Sequence, residues 1–269
     1  MFLNKLIKRS FLSLTGTIVI FAGWEFNSHA WASIVRLGES NFRSASDRIS
    51  FNEFPIGTTN PTYSPADYDG DSQNAPTVSF GGFFSGQSLG NEKNCPPGAN
   101  LNGCVVGNPS NSLSLAPDSP ETFIAQQGNT PNSPILSGTP KFEGPVSVLF
   151  DSNLAGVGLD SGFFEVVGGA AIKAFSRDGS LLGSVSNQQK PVEFLGLATE
   201  DGSEQIAGLQ FSLVGAEPDT YAIDNLTFAR AGQLNLPGKS VPEPASAMGA
   251  GLAFGLAALL RKWSNGLSV

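Results

Sequence analysis

Ala171-Ile-Lys-Ala-Phe-Ser-Arg-Asp178-Gly179-Ser-Leu-Leu-Gly-Ser-Val185 places an Asp-Gly pair between two runs of strand-forming residues. Asp-Gly tolerates the positive φ angles of a type I′ two-residue turn, so the stretch reads as a β-hairpin. Downstream, Ile206-Ala-Gly-Leu-Gln-Phe-Ser-Leu-Val214 alternates, with Leu209, Phe211 and Leu213 on one face and Gly208, Gln210 and Ser212 on the other. That period predicts a strand with one buried and one wet face. Elsewhere the apolar residues come in short runs rich in Phe and Val, bounded by Gly, Asn, Ser and Pro, and no segment holds a helical period for three turns. Nine strands are expected, over 49–54, 77–84, 146–150, 162–167, 170–176, 180–186, 192–197, 206–214 and 221–229. The expected fold class is all-β, the pattern of a sandwich or barrel, and nine short strands suit two packed sheets.

Between Phe84 and Lys141 the composition shifts to Asn, Pro, Ser and Gly. Residues 85–141 are expected to be a loop-rich insertion with one or two short strands, carrying any binding face. Cys95 and Cys104 lie inside it with eight residues between them. In an oxidising compartment such a pair closes a local disulfide that contributes about 2–3 kcal/mol. A paired metal thiolate is the poorer alternative, because no other soft ligands accompany the cysteines.

Both ends of the 269-residue chain read as processing segments. Lys5, Lys8 and Arg9 precede an apolar run over 11–22, and Ala30-Trp31-Ala32 supplies the small-x-small pattern of a signal-peptidase site. Residues 1–32 are therefore expected to be a signal peptide cut after Ala32, with an uncleaved anchor as the alternative. Either way the body is exported.

From Ser33 to Val241 there are 21 acidic and 10 basic residues, a formal net charge of −11. Such a body repels phosphate backbones, and its basic residues are scattered, which argues against nucleic acid as a partner. The sole histidine, His29, lies in the expected signal peptide. The mature chain then lacks the base for Ser-His-Asp or Cys-His catalysis and the imidazole of most zinc sites.

At the other end, 231–240 reads as a linker. Val241-Pro242-Glu243-Pro244 follows it, then sixteen uncharged residues (245–260), then Arg261-Lys262. A helix over those sixteen is about 24 Å long, short of a hydrocarbon core of roughly 30 Å, and Trp263 and the basic pair extend its reach at the interface. This tripartite tail, residues 241–263 with 264–269 beyond, resembles the PEP-CTERM sorting signal of bacteria that make extracellular polysaccharide. The resemblance implies an exosortase acting at or near Pro242, Glu243 and Pro244, with Arg261 and Lys262 holding the end of the anchor helix on the cytoplasmic side. It further implies a membrane-anchored precursor delivered to the cell envelope or extracellular matrix.

The body, 49–230 after a lead segment over 33–48, is similar to PEP-CTERM proteins with a galactose-binding-like jelly roll. The matching stretches are Phe80-Gly-Gly-Phe-Phe-Ser-Gly-Gln-Ser-Leu, Gly156-Val-Gly-Leu-Asp-Ser-Gly-Phe-Phe, Ala174-Phe-Ser-Arg-Asp-Gly-Ser-Leu-Leu-Gly and Tyr221-Ala-Ile-Asp-Asn-Leu-Thr-Phe. Modules of that fold often hold a structural calcium between an early acidic residue and an Asp on the last strand. The likeness places Glu53 and Asp224 there. A second acidic run, Asp67-Tyr-Asp69-Gly-Asp71, starts like a calcium loop but has Ser72 and Val78 where glycine and glutamate belong, and reads as a solvated loop.

Three functions are consistent with the sequence. The leading one is a non-catalytic surface module that binds or organises exopolysaccharide, with Tyr63, Tyr68, Phe83 and Phe84 as candidate stacking aromatics. The second is a glycan hydrolase using two carboxylates, although no spacing picks a pair from Glu143, Asp151, Asp160, Glu165 and Glu193. The third is a structural envelope or ice-binding protein.

Overall fold

The computed structural model describes residues 33–70, 74–127, 134–218 and 221–238. Pro242, Glu243, Pro244, Arg261 and Lys262, expected to carry a sorting signal, and Ala30 and Ala32, expected at a cleavage site, lie outside them, as does the expected anchor helix. Among the described residues no helix is long and apolar enough to cross a membrane.

Fifteen strands occur among the described residues: β1 (Ile34–Leu37), β2 (Asp47–Ile49), β3 (Thr62–Tyr63), β4 (Val78–Gly81), β5 (Ser88–Leu89), β6 (Val105–Val106), β7 (Thr122–Gln126), β8 (Pro134–Gly138), β9 (Val146–Leu154), β10 (Gly156–Gly162), β11 (Ala170–Phe175), β12 (Leu181–Ser186), β13 (Val192–Thr199), β14 (Ile206–Leu213) and β15 (Ala222–Ala229). One sheet runs β1-β13-β10-β15-β8-β7, with β2 also paired to β15; the other runs β12-β11-β14-β9-β4-β3. A small β5-β6 ribbon stands apart.

Alternation along each strand turns one row of apolar side chains inward, and the two rows meet in one core. Val157, Leu159, Leu195, Leu197, Ile223 and Phe228 from the first sheet pack against Val148, Phe150, Ile172, Leu209, Phe211 and Leu213 from the second. The described residues thus form an all-β sandwich.

The hairpin over 171–185 forms, but its turn differs from the expected two-residue type I′. Gly179 has φ +79° while Asp178 is not in the left-handed region. Gly179 N–H donates to the Ser176 carbonyl at 3.0 Å, and the β11-β12 register shifts between Ala174 and Phe175. This is a turn followed by a glycine bulge. Asp178 favours it by accepting from the Ser180 N–H at 3.1 Å and from the Ser176 hydroxyl.

Three further expectations are corrected. The strand expected over 162–167 is instead β10, which ends at Gly162, because Phe163 takes φ +73° and turns the chain out of the sheet. The strand expected over 49–54 ends at Ile49, since Phe51 sits at φ +60°. The face of β14 expected to be wet is buried: Gln210 and Ser212 are both 0 % exposed.

The insertion explains that burial. Phe84, Leu113 and Leu115 fold back over the outer face of the second sheet and pack against Phe175 and Ala207. Gln210, cut off from water, exchanges hydrogen bonds with Gln87 and donates to the Ser147 hydroxyl at 3.1 Å. The insertion is a covering layer, and β5 to β8 exceed the one or two strands expected in it.

The stretch read as a lead segment supplies β1 and part of β2. The stretch read as a linker is bound to the body as far as it is described. Asn235 N–H donates to the Asn41 carbonyl, and Arg43 donates to the Asn235 side chain and to the Gly232 carbonyl. Leu234 and Leu236 join Phe42 in a second apolar cluster over Ala155, Ala198 and Ala229. This strap covers part of the outer face of the first sheet. A smaller cluster, in which Phe123 and Phe142 pack on Ala125, Ile135 and Ala222, covers another part.

Candidate functional site

The outer face of the first sheet holds a cleft of about 290 Å³ beside the cluster of Ile135 and Ala222. Its floor comes from β10 and β15, where Asp160 and Asp224 are direct cross-strand partners. The inward places of Leu159 and Ile223 in the core turn Asp160 and Asp224 to the outer face. Val192 at the start of β13 and Phe163 just after β10 form apolar walls, 55 % and 38 % exposed, and Gln127 and Ile135 close the far side.

Two like charges directly opposite each other on neighbouring strands repel. Asp160 Oδ2 accepts from the Asn225 side-chain amide at 2.9 Å, and Asp224 Oδ1 accepts from the Asn225 backbone N–H at 2.7 Å. Asn225 reaches both because it takes φ +48° at an irregularity in the β10-β15 register. Burial pushes the Asp224 carboxyl up to about 6, helped by Asp160 and Glu53 and opposed by the Asn225 N–H and Arg48. Beside Asp160 the cleft therefore holds a carboxyl that keeps its proton well above the ordinary carboxylate range.

Glu53 and Asp224 belong to neighbouring segments, because Ile49 on β2 pairs with Leu226 on β15. Glu53 Oε1 accepts from the Ser50 N–H and hydroxyl at 2.9 and 2.8 Å, while its Oε2 is buried without a partner. An orphaned carboxylate oxygen suits a cation, yet calcium needs six to eight oxygens. Among the described residues no three Asp, Glu, His or Cys side chains gather to hold a metal.

Among the other candidates, the carboxylates of Asp67, Asp151, Glu143 and Glu193 have partners within the fold. Asp67 accepts from the Ser64 hydroxyl and N–H at 2.6 and 2.7 Å, which holds its carboxyl below the usual range. Asp69 takes φ +57° in the following turn, and Asp71 lies outside the described residues. Asp151 accepts from the Thr77 N–H, and Glu143 from the Asn102 amide. Glu193 pairs with Arg36 at 3.0 Å. The Glu165 carbonyl receives the Lys190 ammonium at 2.6 Å.

Tyr63, Tyr68, Phe83 and Phe84 are all buried, which corrects their reading as stacking aromatics. Phe163 is the exposed aromatic beside the cleft. The signal that could have found it is its place directly after a Gly-rich strand, where a chain leaving a sheet throws a side chain outward. Cys95 and Cys104 form the expected disulfide, with Cα atoms 6.1 Å apart.

Fold and cleft together define an antiparallel two-sheet β-sandwich with an acidic, partly apolar cleft on one outer face. No family model matches the chain, and no curated protein matches it.

Proposed function

We propose that this protein is an exported, non-catalytic module that binds or organises exopolysaccharide through the cleft between Asp160, Asp224 and Phe163. The observation that carries the reading is the placement of an exposed aromatic ring beside two outward carboxyls on an outer sheet face. Sugar hydroxyls donate to carboxylates, and the C–H faces of a pyranose pack on an aromatic ring.

The position of the cleft supports it further. Ser33 and Leu236 meet the turn over 200–202 at one end of the sandwich, where Ser33 accepts from Glu200 N–H and Leu236 lies against Gly202. The cleft sits at the Gly162 end of β10, six residues or about 20 Å from the Gly156 end. A body tethered through the sorting tail would present its cleft away from its attachment. Delivery through signal peptidase, the membrane-held tail and exosortase is part of the same proposal, carried by the motif at 241–262. So is a galactose-binding-like jelly roll, which the two face-to-face antiparallel sheets support.

Retention of the body in gels containing the producing bacterium's exopolysaccharide tests the reading. Retardation that falls on Phe163→Ala is expected, and equal mobility with and without polysaccharide overturns it. The same gels run in chelator and in calcium report whether Glu53 and Asp224 contribute through an ion.

One observation favours a second reading. A glycan hydrolase uses two carboxyl groups, one of them with a raised titration range, and Asp224, raised by burial, stands opposite Asp160 across the strands. Reducing-sugar release that disappears in Asp224→Asn would replace the binding module with the hydrolase.

A further inference from the structure

The segment that follows Phe163 is hydrogen-bonded to Glu217, which in turn contacts the disulfide loop. Glu217 is 0 % exposed, and its carboxylate accepts from the backbone N–H groups of Glu165 (3.0 and 3.1 Å) and Val166 (2.9 Å). Those amides belong to the segment that begins with Phe163. A fully buried carboxylate is costly unless its oxygens are satisfied, so this segment is fixed as firmly as Glu217 itself.

Glu217 is fixed in turn by the loop that Cys95 and Cys104 close. Asn100 N–H donates to the Glu217 carbonyl at 2.8 Å. Two residues on, the Asn102 side chain donates to Glu143 Oε2 at 2.6 Å. Glu143 follows Phe142, whose ring lies 6.3 Å from that of Phe163. Gly103 fits directly against Tyr221, where an added Cβ would stand 2.4 Å from the hydroxyl oxygen. Tyr221 donates its N–H to the Phe142 carbonyl at 2.6 Å and precedes Ala222, which lines the cleft.

Three neighbouring residues of one small loop thus reach three supports of the cleft: Glu217, Glu143 and Tyr221. We propose that the Cys95–Cys104 loop positions the Phe163 wall through these supports and thereby sets the affinity of the cleft, the affinity half resting on the saccharide reading above. Glu217 and Asn102 are then positioning residues, which touch no ligand themselves.

The test uses the full-length chain, wild type and with Cys95→Ser plus Cys104→Ser, Glu217→Ala or Glu217→Gln. Amide hydrogen exchange at Glu165 and Val166 is read beside retention on immobilised exopolysaccharide of the producing bacterium. Exchange at those two amides is expected to quicken at least tenfold in the double serine variant and in Glu217→Ala, while β9, β11 and β14 stay protected. Retention is expected to fall at least fivefold. Glu217→Gln keeps an acceptor oxygen and should fall between these variants and the wild type.

Unchanged exchange at both amides in the double serine variant overturns the proposal, as does quickening spread equally over every strand. If exchange quickens locally while the wild type itself is not retained, the positioning role stands and the saccharide reading fails.

Discussion

Asp160 on β10 and Asp224 on β15 stand directly opposite each other on the outer face of the first sheet, tied to one another through Asn225. Burial of Asp224 in this position, with Asp160 beside it, gives the protein a pH dependence with a definite sign.

In the unfolded chain Asp224 titrates near about 3.9. In the fold it titrates at about 6, raised first by burial and then by Asp160 and Glu53. Between those values the folded protein keeps a proton that the unfolded chain has lost, so stability falls as pH rises through this window. After allowance for solvent screening the loss is on the order of 1–2 kcal/mol. Asp224→Asn should remove it, which urea midpoints at pH 4.5 and 7.5 would show. An equal drop in both proteins would place the titration elsewhere.

Phe163→Ala should leave the melting temperature nearly unchanged, because the ring is 38 % exposed and, among the described residues, Phe142 is the one aromatic ring near it, at 6.3 Å. Exopolysaccharide binding should weaken about tenfold, the worth of one stacking contact of roughly 1–1.5 kcal/mol. Titration calorimetry of the two proteins checks both halves.

Gly179→Ala and Gly232→Ala separate backbone strain from steric conflict. Both glycines have positive φ, +79° and +83°, but a Cβ at Gly179 would stand 2.2 Å from the Ser110 carbonyl oxygen, while one at Gly232 meets nothing within 4 Å. Gly232→Ala should cost about 1 kcal/mol. Gly179→Ala should cost more, about 2–3 kcal/mol, since Ser110 belongs to the layer covering the second sheet. Equal denaturant midpoints for the two variants would mean that the covering layer yields freely.

Arg36 and Glu193 close the edge of the sandwich between β1, β13 and β12. Arg36 also donates to the Ser186 carbonyl, and Glu193 Oε2 accepts from the N–H groups of Gln188 and Gln189 at 2.6 and 2.8 Å. Glu193 is 9 % exposed at its side chain, so Glu193→Gln should cost about 1–3 kcal/mol. A double-mutant cycle with Arg36→Met should give a coupling of about 0.5–2 kcal/mol. A coupling of zero would mean the pair is incidental.

The core faces of the sandwich were legible because alternation is local: Leu209, Phe211 and Leu213 point inward as their spacing requires. The outer faces were not. Whether Gln210 is wet depends on Phe84 and Leu113, far away in sequence, and no period records that the insertion folds back. β10 was hidden by Gly156, Gly158 and Gly162, which read as turn formers. At the first two positions a Cβ would collide with Leu234 and Phe194, so the glycines mark close packing on the sheet.

The cleft was partly visible. Asp160 and Asp224 were each singled out, in different roles, but their opposition is a matter of register between strands joined by more than sixty residues of chain. The role of Glu217 had no local signal at all, because its partners are backbone amides in another loop.

Chemical-shift mapping of the isotope-labelled body, titrated with oligosaccharides cut from the producing bacterium's exopolysaccharide, tests the central claim most directly. Saturable shifts confined to the amides around Asp160, Phe163, Val192, Ala222 and Asp224 are predicted, with no new sugar ends appearing. Shifts clustered on the covering layer around Phe84 and Leu113, or none at saturating sugar, would contradict it.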